Sequence, residues 1–377
     1  MTLSGQIEIE TVSGIDSASG AWVCPLRDTL GLDARETQAV SPELVKRLCF
    51  TATQARSYEA AEEIVRVWGV ETSDSSIHRY VQEYGQRVGQ RRAEQAERAL
   101  DPSTRAQVVG EAAKLRAGQD FSLVIMLDGW MIRERGAQWG FKPAGESASR
   151  VEWHEMRSGI VFRVQDVAHT QSGRGILLEK HYESYRPDVE EFGRRLFALA
   201  LRCGLYQARR VFVVADGALW IWSLSAERFV DAIEQLDFYH ASEHLWQVAN
   251  ALHEQPEQAR AWIEPLLHQL RHKGEAGFLK SVEGFLALAR ELDADKQKLV
   301  ETNVEYFRKN RGRMRYVRNS RLGCPVGSGA MESTCAQFQD RFKRTGQFWT
   351  IPGESALIDL EIIRRNNEWD DYWSEIG

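Results

Sequence analysis

The sequence predicts an α/β core, with one all-helical segment ahead of it and another interrupting it. Three observations predict this class. Two uninterrupted apolar runs, Phe121-Ser-Leu-Val-Ile-Met-Leu-Asp128 and Arg210-Val-Phe-Val-Val-Ala-Asp216, have the length and composition of strands buried on both faces. Between residues 121 and 240 the period changes repeatedly, in the order strand, strand, strand, helix, strand. Residues 41–120 and 241–305 instead hold the period of amphipathic helices.

Residues 1–40 mix turn-rich stretches with no sustained period and predict an irregular segment. The helical pattern starts at Ser41. From Ser57 to Trp68 it is amphipathic, Gly69 offers a left-handed stop, and Ser73 or Asp74 caps a second helix running to Tyr84. Two helices so joined have a helix-turn-helix shape, which sets Ser75, Ser76, His78 and Arg79 at the end that enters a DNA major groove. The same geometry also serves merely to pack two short helices. A basic stretch from Gln86 to Leu100, with Arg87, Arg91 and Arg92, then leads to the first strand.

Strands are expected near 121–133, 151–165, 176–185 and 211–215, with a helix from Pro187 to Cys203 before the last. Proline in the first turn and Gly204 just past the end punctuate that helix, and Phe192, Leu196, Leu199 and Ala200 give it an apolar face. Residues 121–240 thus form the first part of the core. Residues 241–305 form a helical insertion with Trp246, Leu252, Trp262, Leu266, Leu267, Leu270, Phe278, Phe285 and Leu288 as its core. Residues 306–377 carry a basic strip and the C-terminal helices.

With 377 residues and 43% apolar content the chain can bury a sizeable core in two or three domains. No run approaches the roughly 18 apolar residues of a membrane span, and Met1-Thr-Leu-Ser-Gly-Gln-Ile-Glu lacks a basic region before an apolar one, so a cytoplasmic location without membrane contact is expected. The five cysteines, Cys24, Cys49, Cys203, Cys324 and Cys335, are scattered and read as free thiols. A net charge of -6 excludes a uniformly basic coat, but the charges are segregated. From Tyr306 to Met331 there is no acidic residue, while Arg308, Lys309, Arg311, Arg313, Arg315, Arg318 and Arg321 crowd together, and Arg341, Lys343 and Arg344 follow. Arginine holds phosphate oxygens bidentately, and the interleaved Tyr306, Phe307 and Tyr316 suit base stacking; a solvated face is the plainer alternative.

Asp128 and Asp216 end their apolar runs, and Glu332 lies in the first turns of a helix opening after Gly327-Ser328-Gly329. Mg²⁺ prefers hard oxygen ligands, so carboxylates held on rigid elements suffice to place two ions on a scissile phosphate. Each aspartate is also followed by glycine, a hairpin-turn signal, and a glutamate in a first helical turn also simply favours the macrodipole.

The chain resembles bacterial insertion-sequence DDE transposases of the Kra-type group. The resemblance rests on Leu127-Asp128-Gly129, Val213-Val-Ala-Asp216-Gly217-Ala218-Leu-Trp220, Leu236-Asp237-Phe-Tyr-His240-Ala-Ser-Glu-His244, Gly327-Ser-Gly-Ala-Met-Glu332-Ser-Thr-Cys335 and Arg341-Phe-Lys-Arg344-Thr-Gly346-Gln-Phe-Trp349. It departs from that family where only Cys24 stands for paired cysteines, and at Gln347-Phe348-Trp349. It implies a ribonuclease-H-like core, a mixed five-stranded sheet with flanking helices, interrupted by the insertion. It further implies Asp128, Asp216 and Glu332 as ligands of two Mg²⁺, with Mn²⁺ as a substitute, and Asp237 and His240 as active-site support. Its implied partner is double-stranded DNA, both transposon ends and target, bound by a homodimer or higher oligomer, with a nucleoid-associated location in the cytoplasm. An element-derived DNA-binding protein or repressor without catalysis is the alternative. A glycosidase using two carboxylates is a third reading, which would leave the arginine strip unexplained.

Overall fold

The computed structural model describes residues 12–29, 40–137, 139–140, 150–171 and 175–376. Of the segment expected to be irregular, residues 1–11 and 30–39 lie outside the described residues. The remainder has some order: Gly14–Ile15 (β1) pairs antiparallel with Trp22–Val23 (β2), ahead of one helical turn at Pro25–Thr29 (α1). The Asp16 carboxylate closes that hairpin by accepting from the backbone N–H groups of Ala18 and Ser19.

Helices Pro42–Gln54 (α2), Tyr58–Val67 (α3) and Asp74–Leu100 (α4) each start after a serine, Ser41, Ser57 and Ser73, whose hydroxyl accepts a backbone N–H three residues on. Gly69 takes φ 77 after α3, as its left-handed stop requires. The second helix of this pair does not end near Tyr84, because α4 continues for 27 residues and meets Pro102–Leu115 (α5) at Asp101. Its stripe of Ile77, Tyr80, Val81 and Val88 is buried. Where α4 crosses Ile351–Arg365 (α14), Gly85 permits the approach: a β-carbon there would stand 2.2 Å from the Ala356 carbonyl oxygen. The helix pair therefore shares its core with the sheet, in one cluster with Val124 and Met126.

Five strands form that sheet: Ser122–Arg135 (β3), Val151–Arg163 (β4), His181–Tyr185 (β7), Arg210–Ala215 (β8) and Ile233–Leu236 (β9). Val167–His169 (β5) and Gly175–Leu177 (β6) make a separate ribbon, so the expected strand 176–185 is divided. The order is β7-β4-β3-β8-β9, with β4 antiparallel to β3 and β7, and β8 parallel to β3 and β9. Leu123 to Leu127 are at most 2% exposed, as an apolar run buried on both faces must be. Leu123, Ile125 and Leu127 face the cluster containing Val189–Arg202 (α6), and Val124 and Met126 face the one shared with α4 and α14. Helix α6 starts two residues later than its proline suggested. Asp188 is its cap, accepting from Glu190 and Glu191 N–H at 3.2 and 3.0 Å, and Pro187 stands outside.

After β8 come Leu219–Arg228 (α7), β9 and the helical insertion: Phe238–Leu252 (α8), Pro256–His268 (α9), Glu275–Leu288 (α10) and Ala294–Lys309 (α11), with a π turn at Gln269–Lys273. Leu270, Phe278 and Phe285 are in its core, but Leu288, expected there, is 56% exposed at the end of α10. Tyr316–Arg321 (α12), Gly329–Phe342 (α13), α14 and Trp369–Ile376 (α15) complete the chain. Among the described residues no helix is long and apolar enough to cross a membrane.

Candidate active site

Parallel pairing between β3 and β8 ends with Met126 opposite Val214. Carried two residues further along both strands, the same register sets Asp128 beside Asp216. Asp128 is not the tip of its strand, as the apolar run suggested: β3 continues to Arg135 paired with β4, while β8 gives way to Gly217. The two aspartates thus stand where the sheet divides, a crevice at the carboxyl ends of parallel strands. Neither Asp-Gly pair is a hairpin, since Gly129 is paired with Arg157 in mid-strand and Gly217 leads into α7. Gly217 takes φ 108, and a β-carbon there would stand 3.0 Å from the Tyr306 ring. The Tyr306 hydroxyl crosses this turn to donate to the Asp216 carbonyl at 2.7 Å.

Burial, and then the charge of Asp216, raise the Asp128 carboxyl from 3.8 to about 6, although the Gly129 N–H, the Cys335 thiol and His240 pull it down. Ionised Asp128 is therefore a liability in the folded protein. Because the folded pKa is raised, the native state holds more protons than the unfolded chain between 3.8 and about 6, so stability falls as pH rises through that window. The full cost above it is at most about 3 kcal/mol. Asp128→Asn is expected to stabilise the metal-free protein by about 1–3 kcal/mol at pH 8 and to give no gain near pH 4. Urea unfolding at both values tests this, and an equal effect at the two would refute it.

Glu332 is exposed in the first turn of α13, and its carboxyl is raised by burial and by the charges of Asp237 and Glu243, against His240. One turn on, the buried Cys335 stands beside Asp128, and its thiol is pushed up by burial and by the charges of Asp128 and Glu332. Cys335 thus links the glutamate on the helix to the aspartate on the strand. Trp130 of β3, stacked on Phe338 of α13 at 6.0 Å and 9°, holds the two elements together just beyond.

Asp237 is fully buried at the start of α8. Its Oδ1 accepts from the N–H groups of Tyr239 at 2.5 Å and His240 at 3.1 Å; its Oδ2 accepts from the Ser328 N–H and hydroxyl. A neighbouring strut repeats the tie, with the Gln235 amide donating to the carbonyls of Pro325 and Val326. The loop that launches α13, and with it Glu332, is thereby fixed to the β9–α8 junction. Gly327 is required there, since a β-carbon would stand 2.5 Å from the Tyr239 ring.

Among the described residues, the three metal-capable side chains with ligand atoms within 4.8 Å of one another are Asp237, His240 and Glu332, rather than the expected Asp128, Asp216 and Glu332. Asp237, however, already accepts four hydrogen bonds, which fills its lone pairs. It is a positioning residue. His240 has a buried Nδ1 with no hydrogen-bond partner, 3.9 Å from Asp237 Oδ1, and its charge bears on both Asp128 and Glu332. His244, one turn further, shares a hydrogen bond with Asn303 at 2.7 Å and stacks on Tyr306 at 3.6 Å, so it braces the insertion.

The expected DNA contacts divide by environment. Ser75 is exposed, Ser76 is tied to the Ser73 cap, His78 lies edge-on to Tyr58 at 5.0 Å, and the Arg79 guanidinium lies 4.9 Å from the Tyr80 ring. In the basic strip Arg313 pairs with Glu234 and lies over Trp222, and Arg315 approaches Glu275. Arg311, Arg318 and Arg321 are exposed. Arg341 is a correction. It is 7% exposed and donates to the Ala52 and Arg56 carbonyls, because it falls on the buried stripe of α13 with Thr334 and Phe338. Lys343 and Arg344 lie just beyond, on the far side of the sheet's extended ribbon. The sequence matches no family model, and a search of curated proteins likewise finds no match.

Proposed function

We propose that this chain is a DDE-type transposase that cleaves DNA strands at the ends of an insertion sequence and transfers them to a target. The observation that carries this reading is the placement of Asp128 beside Asp216 where β3 and β8 part, with Cys335 bringing the Glu332 end of α13 to the same face. The sheet order, an antiparallel β3-β4-β7 meander on one side of β3 and the parallel strands β8 and β9 on the other, is compatible with a ribonuclease-H-like core.

The residues suit a hard divalent cation. Three carboxylates without a competing thiolate are oxygen donors of the kind Mg²⁺ or Mn²⁺ takes, and the burial and neighbouring carboxylates that raise Asp128 and Glu332 are costs a bound cation would offset. Asp128, Asp216 and Glu332 would hold two ions, which when bound activate the attacking hydroxyl and neutralise charge on the scissile phosphate. The chain's own part is to hold geometry: Gly129 and Ala218 N–H groups orient the aspartates, the Asp237–Ser328 clamp sets Glu332, and half-buried His240 stands between that clamp and the carboxylates. Arg311, Arg318 and Arg321 supply positive charge along the approach. Two ends cut together favour a homodimer on DNA, in the cytoplasm at the nucleoid.

The test is a plasmid carrying the DNA that flanks the gene, incubated with the protein in Mg²⁺ or in EDTA. Gel retardation is expected in both, and nicks or joined products only with metal. Retardation without any product, in Mg²⁺ or Mn²⁺, would leave a non-catalytic DNA-binding protein instead.

A further inference from the structure

Beyond Asp128 the β3–β4 ribbon leaves the sheet with one face buried against α13 and α14. Trp130, Ile132 and Glu134 point that way and are at most 4% exposed. The other face carries Met131, Arg133 and Arg135, with Trp153 directly across from Arg133. Trp153 is 51% exposed, an unusual state for the largest apolar side chain in mid-strand. The segment Arg344 to Trp349 joins this face: Trp349 bonds to the backbone of Arg133 and Arg135, and Arg133 donates to the Arg344 carbonyl.

Cations and rings alternate across the resulting surface. The Arg133 guanidinium lies 5.7 Å from the Trp153 ring and 5.3 Å from Phe348, and the Lys343 ammonium lies 5.3 Å from Trp153. Arg135 lies 5.3 Å from Trp139, whose ring meets Phe348 at 4.8 Å. Among the described residues, Arg133, Arg135, Lys343 and Arg344 have no ion pair with an acid; the ribbon's own Glu152 and Glu155 are engaged by His154 and Arg157. This sets the face apart from the strip near Arg313, where acids already take several of the charges.

We propose that this face binds a single DNA strand, its unpaired bases stacking on Trp153 and Trp139 and its phosphates held by Arg133, Arg135, Lys343 and Arg344. Four unopposed cations select a polyanion, and exposed flat rings select a partner whose bases are not already stacked in a duplex. Trp153 pairs with Arg133, five residues along β3 from Asp128 and about 17 Å at strand rise, so the alternation of side chains sets this surface on the opposite face of the ribbon from the Asp128 carboxylate, as a separate strand-binding site. The inference rests on the DNA reading above, but its test does not need cleavage.

Fluorescence anisotropy of a labelled oligothymidylate and of a duplex of equal length, on the full chain in EDTA, provides the readout. Trp153→Ala is expected to weaken the single strand on the order of tenfold, Trp153→Phe to recover most of that, and duplex affinity to stay within about twofold. Arg133→Ala is expected to lower the salt dependence of single-strand binding. Unchanged single-strand affinity in Trp153→Ala, or equal losses for strand and duplex, would overturn the proposal. Single-strand binding that depends on Trp153 in a protein that never nicks DNA would uphold this site while refuting the catalytic reading.

Discussion

Asp128→Asn, Asp216→Asn and Glu332→Gln are each expected to abolish strand cleavage while DNA retention in a gel stays within about twofold. Each exchange keeps the shape of the side chain and removes one negative charge from a site whose task is to hold cations against a phosphate. A loss of about 3–5 kcal/mol of transition-state stabilisation, on the order of 10²- to 10⁴-fold in rate, is the scale expected when one such ligand goes. An active single variant would remove its residue from the site. The rival arrangement makes a different pattern. If the ions sat on Asp237, His240 and Glu332, the three side chains that approach within 4.8 Å, His240→Ala would be as damaging as Glu332→Gln and Asp128→Asn would remain active. The hydrogen bonds that fill the Asp237 carboxylate favour the strand aspartates. Cleavage rates of these variants, taken with their unfolding curves, separate the two.

The parts of this fold written in continuous apolar runs were legible in the sequence. Strands β3 and β8 and helix α6 appear close to their expected places, because five or more adjacent apolar residues, or an apolar face closed by Gly204, leave few other structures. Strand β9 was not legible. Its four residues include Glu234 and Gln235, and Gln235 is buried for its bonds to the Pro325–Val326 loop rather than for its side chain's hydropathy. The same holds for Asp237, whose partner Ser328 is 91 residues away, a distance no local pattern spans. Arg341 could have been caught, since it falls three residues after Phe338 and seven after Thr334, on the stripe that also buries Met331. Its charge masks that phase in the sequence. The ribbon beyond Asp128 was hidden for another reason: Gly129 breaks the apolar run, while pairing with β4 keeps the backbone extended to Arg135.

Arg92→Met is expected to cost about 3–5 kcal/mol of stability, more than any surface change in the chain. Arg92 is 5% exposed on α4, where its two terminal nitrogens donate to Glu183 of β7 and to Asp359 of α14. Arg195 of α6 reaches the same Asp359 oxygen at 3.3 Å and lies 4.3 Å from the Tyr185 ring. Gly89 makes room for this group, since a β-carbon there would stand 2.5 Å from Asp359 Oδ2. Burial works against the charge on Arg92, yet Glu183 and Asp359 outweigh it and raise its pKa; at Asp359 burial prevails over both arginines. The intact network is therefore close to balance, and its value lies in fixing how α4, α6 and α14 meet the edge strand. Removing Arg92 alone destroys the balance by leaving Glu183 buried without its cation and Asp359 with Arg195 alone. Lysine would not restore it, having one ammonium where two separated acids need a fork. Replacing Arg92 together with Glu183 and Asp359 by apolar residues of similar volume should return most of the loss, and urea unfolding of the single and triple variants measures the difference. A single variant that costs less than about 1 kcal/mol would show the charges to be solvated in the native state. Because Arg92, Glu183 and Asp359 make their ion pairs with one another and with Arg195 rather than with Asp128 or Asp216, the Arg92→Met protein should still cleave DNA at temperatures where it remains folded.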